Sequence, residues 1–143
     1  MEKFNFDYQT GIYFENELLK YIEYDAYERP QGYFPYYDFK FDLDDKQITY
    51  EVKADNYINK TGNIAIEYEC RKKPSGISLS TADYWAIFDY KTKTDYKLYI
   101  IPLEIIKNYI TENKYHKDVY GGDMDASRLY LFKKDLFKDY IIN

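Results

Sequence analysis

From Asp38 onward the chain repeatedly alternates apolar and polar side chains with a period of two. A run with that period buries one face only as a strand. Phe39, Phe41 and Leu43 alternate with Asp38, Lys40 and Asp42. Residues 44–47 (DDKQ) form a turn, and residues 48–54 (ITYEVKA) form a second strand, so the pair reads as an antiparallel hairpin. Residues 63–70 (NIAIEYEC) repeat the pattern, with Ile64, Ile66 and Tyr68 set against Ala65, Glu67 and Glu69. Two more strands follow, WAIFDY (85–90) and KLYIIP (97–102), joined by the polar turn KTKTD.

Helical spacing is confined to the flanks. Phe14, Leu18 and Ile22, widened by Leu19, predict a helix over 10–24 with Thr10 as N-cap. Glu17 then points with Lys20 and Tyr24 to the wet side, while Glu15 borders the apolar face. Residues 25–35 carry Pro30, Gly32 and Pro35 and read as a loop, as do residues 55–62. The segment SLSTADYW predicts a short helix capped by Ser80 or Thr81, and Pro102 opens another through LEIIKNYITENK. The tail holds a turn at Gly121-Gly122, a strand RLYLF and a final short helix. The order is α-β-β-β-α-β followed by helical and short-strand elements, an α/β class. No repeat or linker divides residues 1–143, so a single domain is expected.

Composition excludes several classes. Aromatic residues make up 21% of the chain, enough apolar surface to argue against disorder. No apolar run approaches the roughly 18 residues of a membrane span, and no apolar leader follows Met1, so a soluble intracellular chain is expected. One Cys (Cys70) and one His (His116) exclude an internal disulfide and a Cys/His zinc cluster. The net charge of -5 argues against a nucleic-acid partner only if it is evenly spread. It is not, because residues 1–50 hold 11 acidic and 5 basic side chains. Nearly half the chain is Phe, Tyr, Ile, Asn or Lys, a composition that AT-rich coding DNA produces, so the tyrosine surplus carries no chemistry here.

The hairpin carries the chemistry. Residues two apart on a strand share a face, so Glu51 and Lys53 project together while Tyr50, Val52 and Ala54 take the other side. Asp38 opens the preceding strand, 13 residues before Glu51, and a short turn brings it to that same face. Two carboxylates suit a hard divalent cation, and an adjacent ammonium suits a water or a phosphate. The bare (D/E)xK pattern occurs six times, but only at Glu51 does it lie within a strand with an aspartate on the strand before. The alternative is a solvated face with a cross-strand ion pair, worth under about 1 kcal/mol. Asp42 and Asp55 lie near enough to stand in for Asp38, whose spacing is preferred. Glu67 is a possible accessory carboxylate, on a face that it shares with Glu69. Lys60, Arg71, Lys72, Lys73 and Ser75 sit on loops beside the hairpin, either to hold phosphates or as solubilising turns. His116 and Cys70 fall outside this constellation.

These residues resemble the PD-(D/E)xK nuclease superfamily, and within it the small Holliday-junction resolvases of archaea and phages. The likeness rests on Gly11-Ile-Tyr-Phe-Glu15, on Asp38, on Glu51-Val52-Lys53 and on the gap between them. GNIAIEYECRKKPSGISLSTADYW (62–85) is similar to phage-type members, in which a strand ending in glutamate leads to a basic PSG turn. Tyr37 departs from the family, which often has Pro before the aspartate. The resemblance implies a restriction-endonuclease-like αβββαβ core with a mixed central sheet flanked by helices. It implies Mg2+, with Mn2+ as substitute, held by Asp38, Glu51 and Glu15, and a water positioned by Lys53. It further implies DNA, branched or duplex, as substrate, a homodimer, and a place in the cytoplasm of a bacterium or phage-infected cell. Two other readings stay open at this point: a restriction- or repair-type nuclease on duplex DNA, and a non-catalytic module whose acidic first third engages a basic protein.

Overall fold

A computed structural model describes residues 2–143. Its elements run α1 (Glu2–Leu18), β1 (Ala26–Glu28), β2 (Phe39–Leu43), β3 (Lys46–Asp55), α2 (Ile58–Thr61), β4 (Asn63–Cys70), β5 (Lys73–Pro74), β6 (Tyr84–Tyr90), β7 (Tyr96–Pro102), α3 (Leu103–Thr111), β8 (Lys117–Gly121) and β9 (Ser127–Lys133). Short 3-10 segments occupy Gly76–Ser78, Asp123–Asp125 and Lys134–Tyr140. The class is α/β. One mixed sheet has the order β1-β2-β3-β6-β7, and a second, antiparallel, has the order β5-β4-β9-β8. The β3–β6 pair is parallel and its neighbours are antiparallel.

The alternation sorts the mixed sheet into two faces. Phe39, Phe41, Tyr50, Ala86, Phe88 and Leu98 pack against Phe14 and Leu18 of α1. The intervening positions Trp85, Ile87, Tyr99 and Ile101 pack instead on Ile64, Ile66 and Phe132 of the second sheet. The layers are therefore helix, mixed sheet, antiparallel sheet. Glu51 and Lys53 share the parity of their register partners Trp85 and Ile87, so they project from the face that meets the second sheet. Among the described residues no helix is long and apolar enough to cross a membrane.

Four local expectations are corrected. The helix spans Glu2–Leu18, not 10–24, so Ile22 lies beyond its end and Thr10 is buried within it rather than capping it. Glu17 is not on the wet side. It is 7% exposed, takes the Tyr96 hydroxyl at 2.7 Å and pairs with Lys20 at 2.6 Å. Burial opposes its ionisation, but those two contacts outweigh burial and hold its pKa below the usual carboxylate value. β4 is a strand, but it joins the second sheet, so the mixed sheet has a helix on one face and a sheet on the other. The expected crossover helix around residues 80–85 is absent. Ser80 Oγ takes the Trp85 indole N–H at 3.0 Å and the Ala82 amide at 3.3 Å, which closes a local turn. From Tyr84 the chain is strand because both of its faces are covered, the condition that makes a parallel strand read as a continuous apolar run.

Asp89 ends this run with a cost. It is 6% exposed, and its Oδ1 has no hydrogen-bond partner among the described residues. Burial raises its pKa, against the opposing charges of Lys134, Lys97 and Lys91. A carboxyl that binds its proton more tightly when folded stabilises the protein toward low pH, and that contribution is lost as pH rises above its ordinary value of 3.8. Asp89→Asn should therefore be more stable than wild type by about 1 kcal/mol at pH 7, the advantage shrinking in acid. Urea unfolding at pH 7 and at low pH measures both.

Candidate active site

The β2–β3 hairpin closes through Asp44 and Asp45, whose φ values of 50° and 63° make a two-residue turn of the kind that Asp tolerates. That turn sets the register, with Phe39 opposite Tyr50, Phe41 opposite Ile48 and Leu43 opposite Lys46. One step beyond Phe39, the same register puts Asp38 opposite Glu51. The Asp38 amide donates to the Tyr50 carbonyl at 2.8 Å, and the Val52 amide donates to Asp38 Oδ2 at 2.8 Å. These bonds fix the Asp38 side chain against β3 and leave its other oxygen outside that contact.

Glu51 Oε2 lies 3.3 Å from Lys53 Nζ, with the glutamate side chain 14% exposed and the lysine 46% exposed. The Lys53 ammonium stands 5.7 Å from the centre of the Trp85 ring, which the Ser80 bond holds in place. Glu15 reaches the site from α1. Its Oε1 is 3.5 Å from the guanidinium of Arg29, which also donates to Asn16 at 3.1 Å and covers the Phe39 ring at 4.6 Å.

The charges of these groups act on one another. Burial pushes Glu51 up to about 7, Lys53 opposes the rise, and the charges of Asp38 and Glu15 add to it. Asp38 is raised by burial against the Val52 amide and the charges of Lys53 and Arg29. Glu15 is raised by burial and then by Asp38, with Arg29 opposing. Desolvation works to lower Lys53, but the charges of Glu51, Asp38 and Glu67 outweigh it and hold the ammonium above its ordinary pKa.

Do these groups fit a divalent cation? Among the described residues no three His, Cys, Asp or Glu side chains converge into a ready cage. Mg2+ demands less, because it commonly takes one or two carboxylates and completes its shell with water and substrate phosphate. Asp38 and Glu51 supply two carboxylates on one face, partly desolvated, with the charge of Asp38 raising the cost of ionising Glu51. A cation between them would relieve that cost, so the donor set fits Mg2+ held partly by water.

The remaining sequence candidates divide. Glu67 Oε2 takes the Ser75 hydroxyl and its Oε1 the Ser127 hydroxyl, both at 2.6 Å, while its charge reaches Lys53. Its role is thus to bind the PSG turn to the site, and a bulge between Glu67 and Glu69 separates the two glutamates in register. Ser75 is spent on that bond. Arg71 and Lys72 form the β4–β5 turn with φ of 50° and 64°, and Lys73 lies on β5, all three exposed on the connection leading to Ser75. Lys60 is exposed on α2, its ammonium 5.3 Å from the Tyr57 ring. Asp55 does not replace Asp38. It faces Asp89 in register and takes the Tyr57 amide at 2.7 Å. Asp42 pairs in register with Ala26 and Gln47, well along β2 from Asp38.

Arg29 carries no local sequence signal because it sits in a Pro/Gly loop without periodicity. An open cleft of about 650 Å3 is lined by Gln47, Asp83, Tyr84, Glu104 and Lys107 among others and includes none of the candidate residues. A smaller one of about 320 Å3 includes Lys53 and Asp55. No protein-family model, curated protein or solved structure matches this chain.

Proposed function

We propose that this chain is a Mg2+-dependent DNA endonuclease that resolves branched DNA, a reading supported above all by the placement of Asp38 opposite Glu51 with Lys53 on the same face. The resemblance to the PD-(D/E)xK nucleases expects an acidic pair and a lysine on a central hairpin, and this hairpin carries them. A strand parallel to β3 follows, here reached through the second sheet instead of a helix.

Asp38 and Glu51 would hold the cation, with Glu15 toward its water shell. When bound, the cation would supply positive charge to a phosphodiester oxygen and lower the pKa of water. The Lys53 ammonium orients the attacking water and offsets negative charge that gathers at phosphorus. Glu51 holds Lys53 in place through the 3.3 Å contact. Water oxygen bonds to phosphorus and a bridging P–O bond breaks. The departing oxygen takes a proton, leaving one hydroxyl and one phosphate monoester. Arg71, Lys72 and Lys73 would meet the backbone through charge alone, without reading bases.

Two symmetric cuts across a four-way junction call for a C2 homodimer, which gel filtration or light scattering checks directly. The test of the function compares a synthetic four-way junction with linear duplex of the same sequence, with and without Mg2+. The junction should be cut in Mg2+ and the duplex spared. Equal cutting would move the assignment to a duplex nuclease. Failure to cut either DNA in Mg2+ or Mn2+ would overturn it and leave the acidic module as the better reading.

A further inference from the structure

We propose that residues 29–37 form a base-stacking platform that takes unpaired nucleobases beside the carboxylate site; this rests on the nuclease reading and names the feature of DNA that the site selects. The segment RPQGYFPYY presents three exposed rings in succession. Tyr33 is 89% exposed, Phe34 37% and Tyr36 42%. Single exposed aromatics need no explanation, but a contiguous group on one loop does.

The loop is built to hold these rings out. Phe34 packs edge-on against Tyr36 and Tyr37, with ring centres 5.1 Å and 4.9 Å apart. Tyr37 in turn packs on the core between the sheets. The Tyr36 carbonyl takes the Thr81 amide at 2.9 Å and the Ser80 hydroxyl at 3.2 Å. At the other end Arg29 is tied to Asn16 and Glu15 on α1. Pro30 and Pro35 restrict the chain between these anchors, so little order remains to be gained when a ligand arrives.

Reach selects the occupant. Residues 29–37 contain no acidic side chain, so no charge on the loop itself repels a polyanion, while the Arg29 guanidinium is already paired with Glu15. Asp38 follows immediately. The five residues from Tyr33 to Asp38 span at most about 17 Å, and Tyr36 is within about 7 Å of it. Stacked nucleotides rise about 3.4 Å each, so the rings lie within roughly two to five nucleotides of the phosphate at the site. In continuous duplex the base faces are already covered by their neighbours. Bases at a branch point, bulge or single strand offer free faces, and every base stacks on an aromatic ring whatever its identity. The ligand class is therefore DNA with unpaired bases, recognised without sequence preference.

The test measures binding in EDTA, where cutting is blocked, to a duplex and to the same duplex with a three-nucleotide bulge containing 2-aminopurine. Wild type should bind the bulged DNA at least fivefold more tightly and change the 2-aminopurine fluorescence on binding. Tyr33→Ala/Tyr36→Ala should lose that preference, with duplex affinity within about twofold of wild type, and Tyr33→Trp/Tyr36→Trp should keep it. Wild type without a preference, or a double alanine variant that retains it, overturns the platform. A change in oligomeric state of the alanine variant with the preference intact also overturns it, assigning the rings to a contact between copies. The same DNAs followed in Mg2+ separate the two proposals. Cutting without a bulge preference removes the platform alone, and a bulge preference without cutting removes the nuclease reading alone.

Discussion

Lys53→Ala should lower single-turnover cleavage by roughly 10^2- to 10^4-fold, the range associated with loss of one positioned proton-handling group. Its affinity for DNA should stay within a few-fold of wild type. The lysine side chain is 46% exposed, so the fold should survive its truncation. What disappears is the ammonium that offsets Glu51 and Asp38 and orients water. Glu51 is already pushed up to about 7, and removing the charge that opposes that rise should push it higher. A carboxyl with a raised folded pKa destabilises the protein as pH climbs from its unfolded value of 4.5 through the folded one. The variant should therefore lose stability relative to wild type as pH rises from 5 to 8, on the order of 1 kcal/mol. A Glu51–Lys53 pair without catalytic use predicts the same pH dependence but not the rate loss, so the rate is the discriminating readout.

Gly76→Ala should be the most damaging alanine substitution among the glycines. Gly76 has a φ of 51°, and a Cβ built there would lie 2.2 Å from the Glu67 carbonyl oxygen and 2.9 Å from its carbon. Both are backbone atoms of β4, so no side chain can rotate away. The 3-10 segment and β4 must separate, at a cost of about 2–4 kcal/mol. For a domain of this size that is a fall in Tm of about 10 °C. The displacement should also disturb the bond from Ser75 to Glu67 and slow cleavage. Gly11→Ala supplies the contrast. Gly11 lies inside α1 with nothing within 4 Å of a new Cβ, so the same methyl should stabilise by about 0.5–1 kcal/mol. Differential scanning calorimetry of the two variants tests the pair.

Local pattern carried the hairpin almost completely. The alternation at Phe39, Phe41, Tyr50 and Val52 is enough to put Asp38, Glu51 and Lys53 on one face, but not to set the register: a DDKQ turn over 44–47 would place Asp38 opposite Lys53, whereas the two-residue Asp44-Asp45 turn places it opposite Glu51. Partner choice did not follow. NIAIEYEC announces a strand, yet nothing within it states that Ile64 and Ile66 belong to a second sheet with Phe132, a pairing made across more than 60 residues. The segment from Tyr84 was misread at its start because Ser80 resembles a helix cap, whereas its hydroxyl serves the Trp85 indole. Glu17 was assigned to water because its partner Tyr96 lies 79 residues away. The juxtaposition of Asp38, Glu51, Lys53 and Glu15 was legible as a candidate cluster. Arg29 and the two serines that hold Glu67 were not, since each acts through contacts that no local spacing encodes.

Whether Asp38 and Glu51 hold a catalytic cation is tested by the Mg2+ dependence of single-turnover junction cleavage by wild type, Asp38→Asn and Glu51→Gln, all at saturating protein. With Asp38 and Glu51 holding the cation, wild-type cutting should be absent in EDTA and rise to saturation with Mg2+. Both variants should stay at least a hundredfold slower at every Mg2+ concentration. Wild-type cleavage in EDTA, or either variant cutting at the wild-type rate, would contradict it.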